Sequence, residues 1–337
     1  RRPRAGMSSA WKARREGGGR LALRSLLVFA SNFGRAPARA LLHPIALYFM
    51  LRRGPERRDS RRYLARMFGR PATLVEVARH FRTFAATILD RLFLLSENTR
   101  RFDVHTQGLE VLHGHLDAGQ GVLLFGSHLG SFEVLRVLAT QRPEYKIRVV
   151  LDRAHGQAMT ELLEALNPAV AATVIDAGES GPAVALAIQE GLAQGAMVAL
   201  LVDRSQEGGA TMPVPFLGAP AQFPVAPWLL ASVLKAPVML AFGLYRGGNR
   251  YDLVFEPFSD GIDLPRRERQ AGVAALIHRY AARLEHHARS APYNWFNFYD
   301  FWTGADDTRD ELPPAAGALP AAGDAARSAD VGGGADR

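Results

Sequence analysis

The chain has 337 residues, 48% of them hydrophobic, which is ample material for a folded core and excludes a chain disordered throughout. It contains no cysteine, so disulfides, thiolate metal sites and a cysteine nucleophile are excluded. The formal net charge of +8 is unevenly placed: residues 1–70 hold 18 Arg or Lys against Glu16, Glu56 and Asp59, a local balance of +15 that leaves −7 for the rest.

Residues 1–20, rich in Arg, Gly and Ser, read as a disordered basic leader, with Met7 a candidate translational start. Residues 21–100 read as a helical segment that associates with membrane. The apolar stretches Leu21–Phe33 and Ala40–Leu51 are edged by Arg20, Arg35, Arg39, Arg52 and Arg53, a pattern that suits insertion among lipid headgroups. Neither reaches about 20 uncharged residues, the length needed to span a bilayer. Nothing resembles a zinc finger, an RNA-binding aromatic motif or a recognition helix, so an anionic membrane surface is expected as the partner and nucleic acid is not. The competing reading makes both stretches ordinary core helices. Ala72–Leu95 continues with helical periodicity through Leu74, Val77, Phe81, Phe84, Ile88, Leu92 and Phe93.

From Gly121 onward strands alternate with helices. Strands are expected at 121–126, 146–151, 172–176, 196–202, 237–243 and 250–256, and helices at 129–140, 155–166, 181–194, 225–235 and 266–288. This alternation predicts an α/β domain over 101–303 with a largely parallel central sheet flanked by helices. Pro292–Trp302 packs seven aromatics into eleven residues, read as a segment that seals the core or, alternatively, as the wall of an apolar channel or an interfacial belt. Residues 304–337, rich in Ala, Gly, Pro and Asp, read as a disordered tail.

The strand ends carry the chemistry. Val122–Phe125 leads through Gly126-Ser127 to His128, with Glu133 after four intervening residues. Inside one helix the two would lie roughly 140° apart, so they meet only if His128 precedes the helix and Glu133 reaches back. A carboxylate on one ring nitrogen fixes the tautomer and makes the other nitrogen a better base. The same spacing also describes a capping histidine beside a solvated Glu133 paired with Arg136. Val198–Val202 ends in Asp203-Arg204, and Val150-Leu151 in Asp152-Arg153. Parallel strands bring such ends to one rim, where side chains face a crevice. Met212–Gly218, with its prolines, suits an edge strand or an extended crossing. There is no dinucleotide fingerprint, Walker loop or Gly-x-Ser-x-Gly elbow, so neither a cofactor nor a serine nucleophile is indicated, and the scattered histidines form no metal framework.

Gly126-Ser-His-Leu-Gly-Ser-Phe-Glu133, Leu200-Leu-Val-Asp-Arg-Ser205 and Val214-Pro-Phe-Leu-Gly-Ala-Pro220 together resemble the bacterial lipid A late acyltransferases, the lauroyl/myristoyl acyltransferase group, over about Leu21 to Trp302. The resemblance implies transfer of a fatty acyl chain, usually from acyl carrier protein, to a hydroxyl of a membrane lipid or glycolipid. It places the enzyme at the cytoplasmic face of the bacterial inner membrane, here peripheral or monotopic. It implies that His128 is the general base, that Glu133 orients it, and that Arg153, Asp203 and Arg204 bind substrate or support the site. Arg204 stands where a glutamine is common. Two departures are visible: no clear N-terminal spanning helix, and no basic residue in Tyr293–Trp302. The second points to an acceptor other than lipid A, such as another lipid, a glycolipid or a polyene pigment precursor. Different readings are a noncatalytic basic membrane- or nucleic-acid-binding protein and a thioesterase using the same residues on water.

Overall fold

The computed structural model describes residues 28–302 apart from 31, 96–98, 136, 138–141, 143, 154–160, 162, 165 and 206–207. The expected leader 1–20, the tail 304–337 and much of the helix expected over 155–166 lie outside these residues.

Among the described residues, helices α1 (Arg35–Arg52), α2 (Gly54–Phe68) and α3 (Leu74–Leu95) precede the sheet. Strand β1 (Asp103–Gln107) and helix α4 (Leu109–Asp117) precede β2 (Val122–Gly126), β3 (Ile147–Leu151) and the short β4 (Ile175–Asp176). Helix α5 (Gly181–Ala193) leads into β5 (Met197–Leu201), followed by the hairpin β6 (Thr211–Phe216) and β7 (Ala219–Pro224). Helix α6 (Ala226–Leu234), the strand pair β8 (Val238–Gly247) and β9 (Arg250–Ser259), and α7 (Arg269–Ser290) complete the order.

The sheet has seven strands in the order β1-β9-β8-β2-β5-β3-β4. β8, β2, β5, β3 and β4 run parallel, and the β8–β9 hairpin reverses the direction for β9 and β1. The α/β expectation of a largely parallel sheet flanked by helices therefore holds. β2 and β5 are apolar on both faces because both faces are covered. Leu123, Phe125, Val198 and Leu200 pack toward one core with Ile277, Tyr280 and Leu284 of α7. Val122, Leu124, Met197 and Ala199 pack toward the other, with Leu89 and Leu92 of α3 and Leu112 of α4.

α1 runs antiparallel to α3. Ala38 and Leu42 share a core with Ala86 and Leu89, while Ala46 shares the other with Val77 and Phe81. The buried Asp90 fixes this pairing: it receives Arg35 through Nε and Nη2 at 2.7 and 2.8 Å and the Tyr251 hydroxyl of β9 at 2.9 Å. Removing Arg35 would leave the buried carboxylate with only the Tyr251 hydroxyl and Arg39 Nη1 at 3.8 Å, a loss of up to about 3–5 kcal/mol.

The helix expected over 129–140 does not begin at Leu129. Leu129 and Gly130 form bridges to Trp295 and Gly243, and Phe132–Leu135 is a single 3-10 turn. Gly130 has φ +76°, and a Cβ there would strike the Gly243 carbonyl. Its lack of a side chain lets the chain run close against the middle of β8 in a conformation that helix periodicity does not anticipate.

Candidate active site

Register alone brings His128 to Asp203. Gly126 on β2 pairs with Leu201 on β5, and each of the two residues lies two positions beyond that pair. Their side chains meet: His128 Nδ1 lies 2.8 Å from Asp203 Oδ1, and the His128 backbone N–H donates to Oδ2 at 3.1 Å. The Trp295 indole N–H donates to the same Oδ2 at 3.2 Å. Asp203 and Trp295 are fully buried. Burial opposes charge on Asp203, but His128 (through its charge and its hydrogen bonds) and the charge of Arg204 outweigh it and hold the carboxyl down at about 2.

Asp203 is therefore an anion, and Nδ1 of His128 is its proton donor. That leaves Nε2 as the basic nitrogen. It has no protein partner among the described residues, and the side chain keeps 35% of its exposure. Burial of the rest of the ring lowers the His128 pKa, Arg204 and Arg91 lower it further, and Asp203 opposes them. The imidazole is neutral at neutral pH, the form a general base requires.

Glu133 does not occupy the position expected of it. Its carboxylate receives the Ser131 hydroxyl at 2.9 Å and lies 2.7 Å from Arg91 Nε on α3. The carboxylate bonded to the His128 ring is that of Asp203. The reason is local: the bridged Leu129 and Gly130 and the 3-10 turn carry Glu133 toward α3 rather than back over the ring.

Arg204 stands beside the pair. Its Nη2 donates to the Phe296 carbonyl at 2.6 Å, and its guanidinium lies 5.2 Å from the Tyr299 ring centroid. Arg153 is not brought in. Its backbone N–H donates to Asp176 at 3.2 Å and its Nη2 to the Ala171 carbonyl at 3.2 Å, away from the rim over β2 and β5.

The aromatic segment both seals the core and supports the site. Asn294 exchanges two hydrogen bonds with the Tyr245 backbone, acting as a substitute strand edge, and the Phe296 N–H donates to the His128 carbonyl at 3.1 Å. Trp295 packs edge-on against Phe216 of the β6–β7 hairpin and Tyr63 of α2. Tyr280 of α7 donates to the Gly126 carbonyl at 3.0 Å, steadying the strand end from below. Trp295, Tyr280 and Arg91 lack sequence signals of their own. Only the density of aromatics at 293–302 hinted at the first.

Among the described residues no group of His, Asp and Glu could hold a metal ion, and no helix is long and apolar enough to cross a membrane. The family model for bacterial lipid A biosynthesis acyltransferases matches residues 21–303. No curated protein matches the sequence.

Proposed function

The chain belongs to the bacterial lipid A biosynthesis acyltransferase family and is an acyltransferase, and from that premise we propose that it moves a fatty acyl chain from an acyl carrier protein thioester to a hydroxyl of a membrane lipid or glycolipid, with His128 as general base. What carries this reading is one feature: a neutral imidazole whose Nδ1 is held by buried Asp203 while Nε2 stays open. Nε2 takes the proton of the acceptor hydroxyl as its oxygen attacks the thioester carbonyl. The tetrahedral intermediate then collapses, the C–S bond breaks, and the leaving thiolate recovers the proton from the imidazolium. Asp203 keeps the ring in the productive tautomer and stabilises its transient positive charge. Arg204, anchored on the Phe296 carbonyl, holds the aromatic segment against this rim.

The reaction belongs at the cytoplasmic face of the inner membrane, where carrier-protein thioesters meet lipid acceptors. The outer face of α1 fits such a docking role. Leu47, Tyr48 and Leu51 are 52%, 56% and 64% exposed, and the 12 residues Ala40–Leu51 carry no Arg, Lys, Asp or Glu. Arg52, which follows Leu51 directly, is exposed, as is Arg58 on α2. Apolar side chains rimmed by arginines suit a peripheral association with anionic headgroups.

The test is turnover of labelled acyl carrier protein by the full chain on anionic vesicles that contain a candidate lipid acceptor. Labelled lipid should form only when acceptor is present, and His128→Ala should abolish it while vesicle binding persists. Undiminished turnover by His128→Ala would refute the assignment. Acyl release that is independent of acceptor would mark hydrolysis instead.

A further inference from the structure

Glu133 stands at the spacing that would suit a partner for His128, yet its carboxylate lies against Ser131 and Arg91. Both members of the Arg91–Glu133 pair are mostly sheltered, with 26% and 15% of their side-chain surface exposed. Arg91 projects from α3, which packs against the 3-10 turn that carries Glu133. Its Nε forms an ion pair with the Glu133 carboxylate at 2.7 Å without hydrogen-bond geometry, and among the described residues its two Nη groups have no protein hydrogen-bond partner. Glu133 lies five residues beyond His128 in the chain, so the ion pair follows directly on the segment that carries the base, and the charge of Arg91 opposes protonation of the imidazole. A cation held against a carboxylate, with both Nη groups free to donate, has the character of an oxyanion receptor. Negative charge grows on the thioester carbonyl oxygen as the acceptor oxygen attacks, and donors set in place beforehand stabilise it without reorganising.

Resting on the general-base reading of His128, we propose that Glu133 is a positioning residue for Arg91, and that Arg91 is the catalytic group whose Nη donors receive the thioester carbonyl oxygen. Asp203 and Glu133 then have separate tasks. The first serves the base, and the second serves the electrophile through Arg91. No proton moves to or from Arg91, and the charge it meets is returned when the carbonyl re-forms and the thiolate leaves.

A double-mutant cycle tests this in the full chain on vesicles. Arg91→Met should lower kcat about 10²–10³-fold with KM changed only a few-fold, and Arg91→Lys should recover about a tenth of the lost activity or more. Glu133→Gln should be milder, and in the Arg91→Met background it should add almost nothing, because its only route to the reaction is gone. The acidic limb of kcat/KM should move to higher pH in Arg91→Met, since a like charge near His128 has been removed. Losses that multiply between the two positions, or wild-type turnover in Arg91→Met, would overturn the assignment. Should Arg91→Met fail to fold, the same cycle built on Arg91→Lys is decided by the same additivity. His128→Ala separates the two levels. If it retains turnover, the general-base reading itself has failed. If it is inactive while the Arg91 and Glu133 losses multiply, only the present assignment has.

Discussion

The rim above β2 and β5 and the outer face of α1 violate the usual burial rules in opposite directions. At the rim an ionised carboxylate, Asp203, is fully buried, and it is tolerated because His128 and Trp295 supply three hydrogen bonds. On α1 large apolar side chains stand in solvent with no charge among them from Ala40 to Leu51. A buried charge persists only when its surroundings are organised around it. An exposed apolar stripe needs no such organisation, only something to cover it. The first anomaly therefore points to chemistry at a fixed point, and the second to attachment over an area.

The largest effect should come from unmaking the rim's organisation. Asp203→Asn keeps the shape but removes the charge that fixes the Nδ1–H tautomer of His128, and kcat should fall about 10²–10⁴-fold. Single-turnover kinetics with labelled acyl carrier protein check it, and an effect smaller than that of Glu133→Gln would return the orienting role to Glu133.

The reason Glu133 misleads is physical, and it shows where a sequence stops being informative. His128, Asp203 and Arg204 are legible because apolar runs such as Val122–Phe125 and Val198–Val202 announce buried parallel strands, and polar residues just past them must sit on one rim. Which of them touch depends on register between β2 and β5, distant in the chain, and no local pattern encodes it. The spacing from His128 to Glu133 is local and so attracts attention, but Gly130 at φ +76° turns the segment away from a helix. Trp295 reaches Asp203 from beyond α7, and Arg91 reaches Glu133 from α3, by tertiary packing alone. β1 carries no apolar run because Asp103-Val-His-Thr-Gln107 is mostly polar, as befits an edge strand exposed at alternate positions. The prolines of Met212–Gly218 were informative: they sit in the two-stranded β6–β7 hairpin, outside the main sheet.

A second effect tests how the helical layer is tied to the rim. His80 on α3 is fully buried between the Ser60 hydroxyl at 2.8 Å and the Trp295 carbonyl at 3.0 Å, the residue whose indole holds Asp203. Burial lowers its pKa to about 4, against a weaker opposing effect of the Trp295 bond, from an ordinary value of 6.5. The unfolded chain therefore binds a proton that the folded one refuses between those values, and stability should fall as pH drops from about 6.5 to about 4. At about 1.4 kcal/mol per pKa unit the full difference is about 3 kcal/mol. His80→Gln should be less stable at pH 7 yet lose less on acidification, as urea unfolding at several pH values would register. An acid dependence equal to that of the wild type would mean that His80 is not the group responsible.

The smallest effect should come from the α1 face, because attachment is spread over several side chains and no one of them is organised around a partner. Leu47→Ser, Tyr48→Ser and Leu51→Ser together remove most of the exposed apolar surface near the C-terminal end of α1. They leave Ala38, Leu42 and Ala46 on the buried face and the Arg35–Asp90 anchor untouched. Binding to anionic vesicles should weaken about tenfold, while the thermal midpoint stays within about 2 °C and turnover on detergent-dispersed acceptor is preserved. High salt should weaken the wild type as well, since screening reduces what Arg52 and Arg58 contribute at the surface. If the triple variant bound vesicles as the wild type does but melted much earlier, the stripe would be part of an internal contact. The contrast between a rim built around a charge and a face left open for a surface would then collapse into ordinary packing.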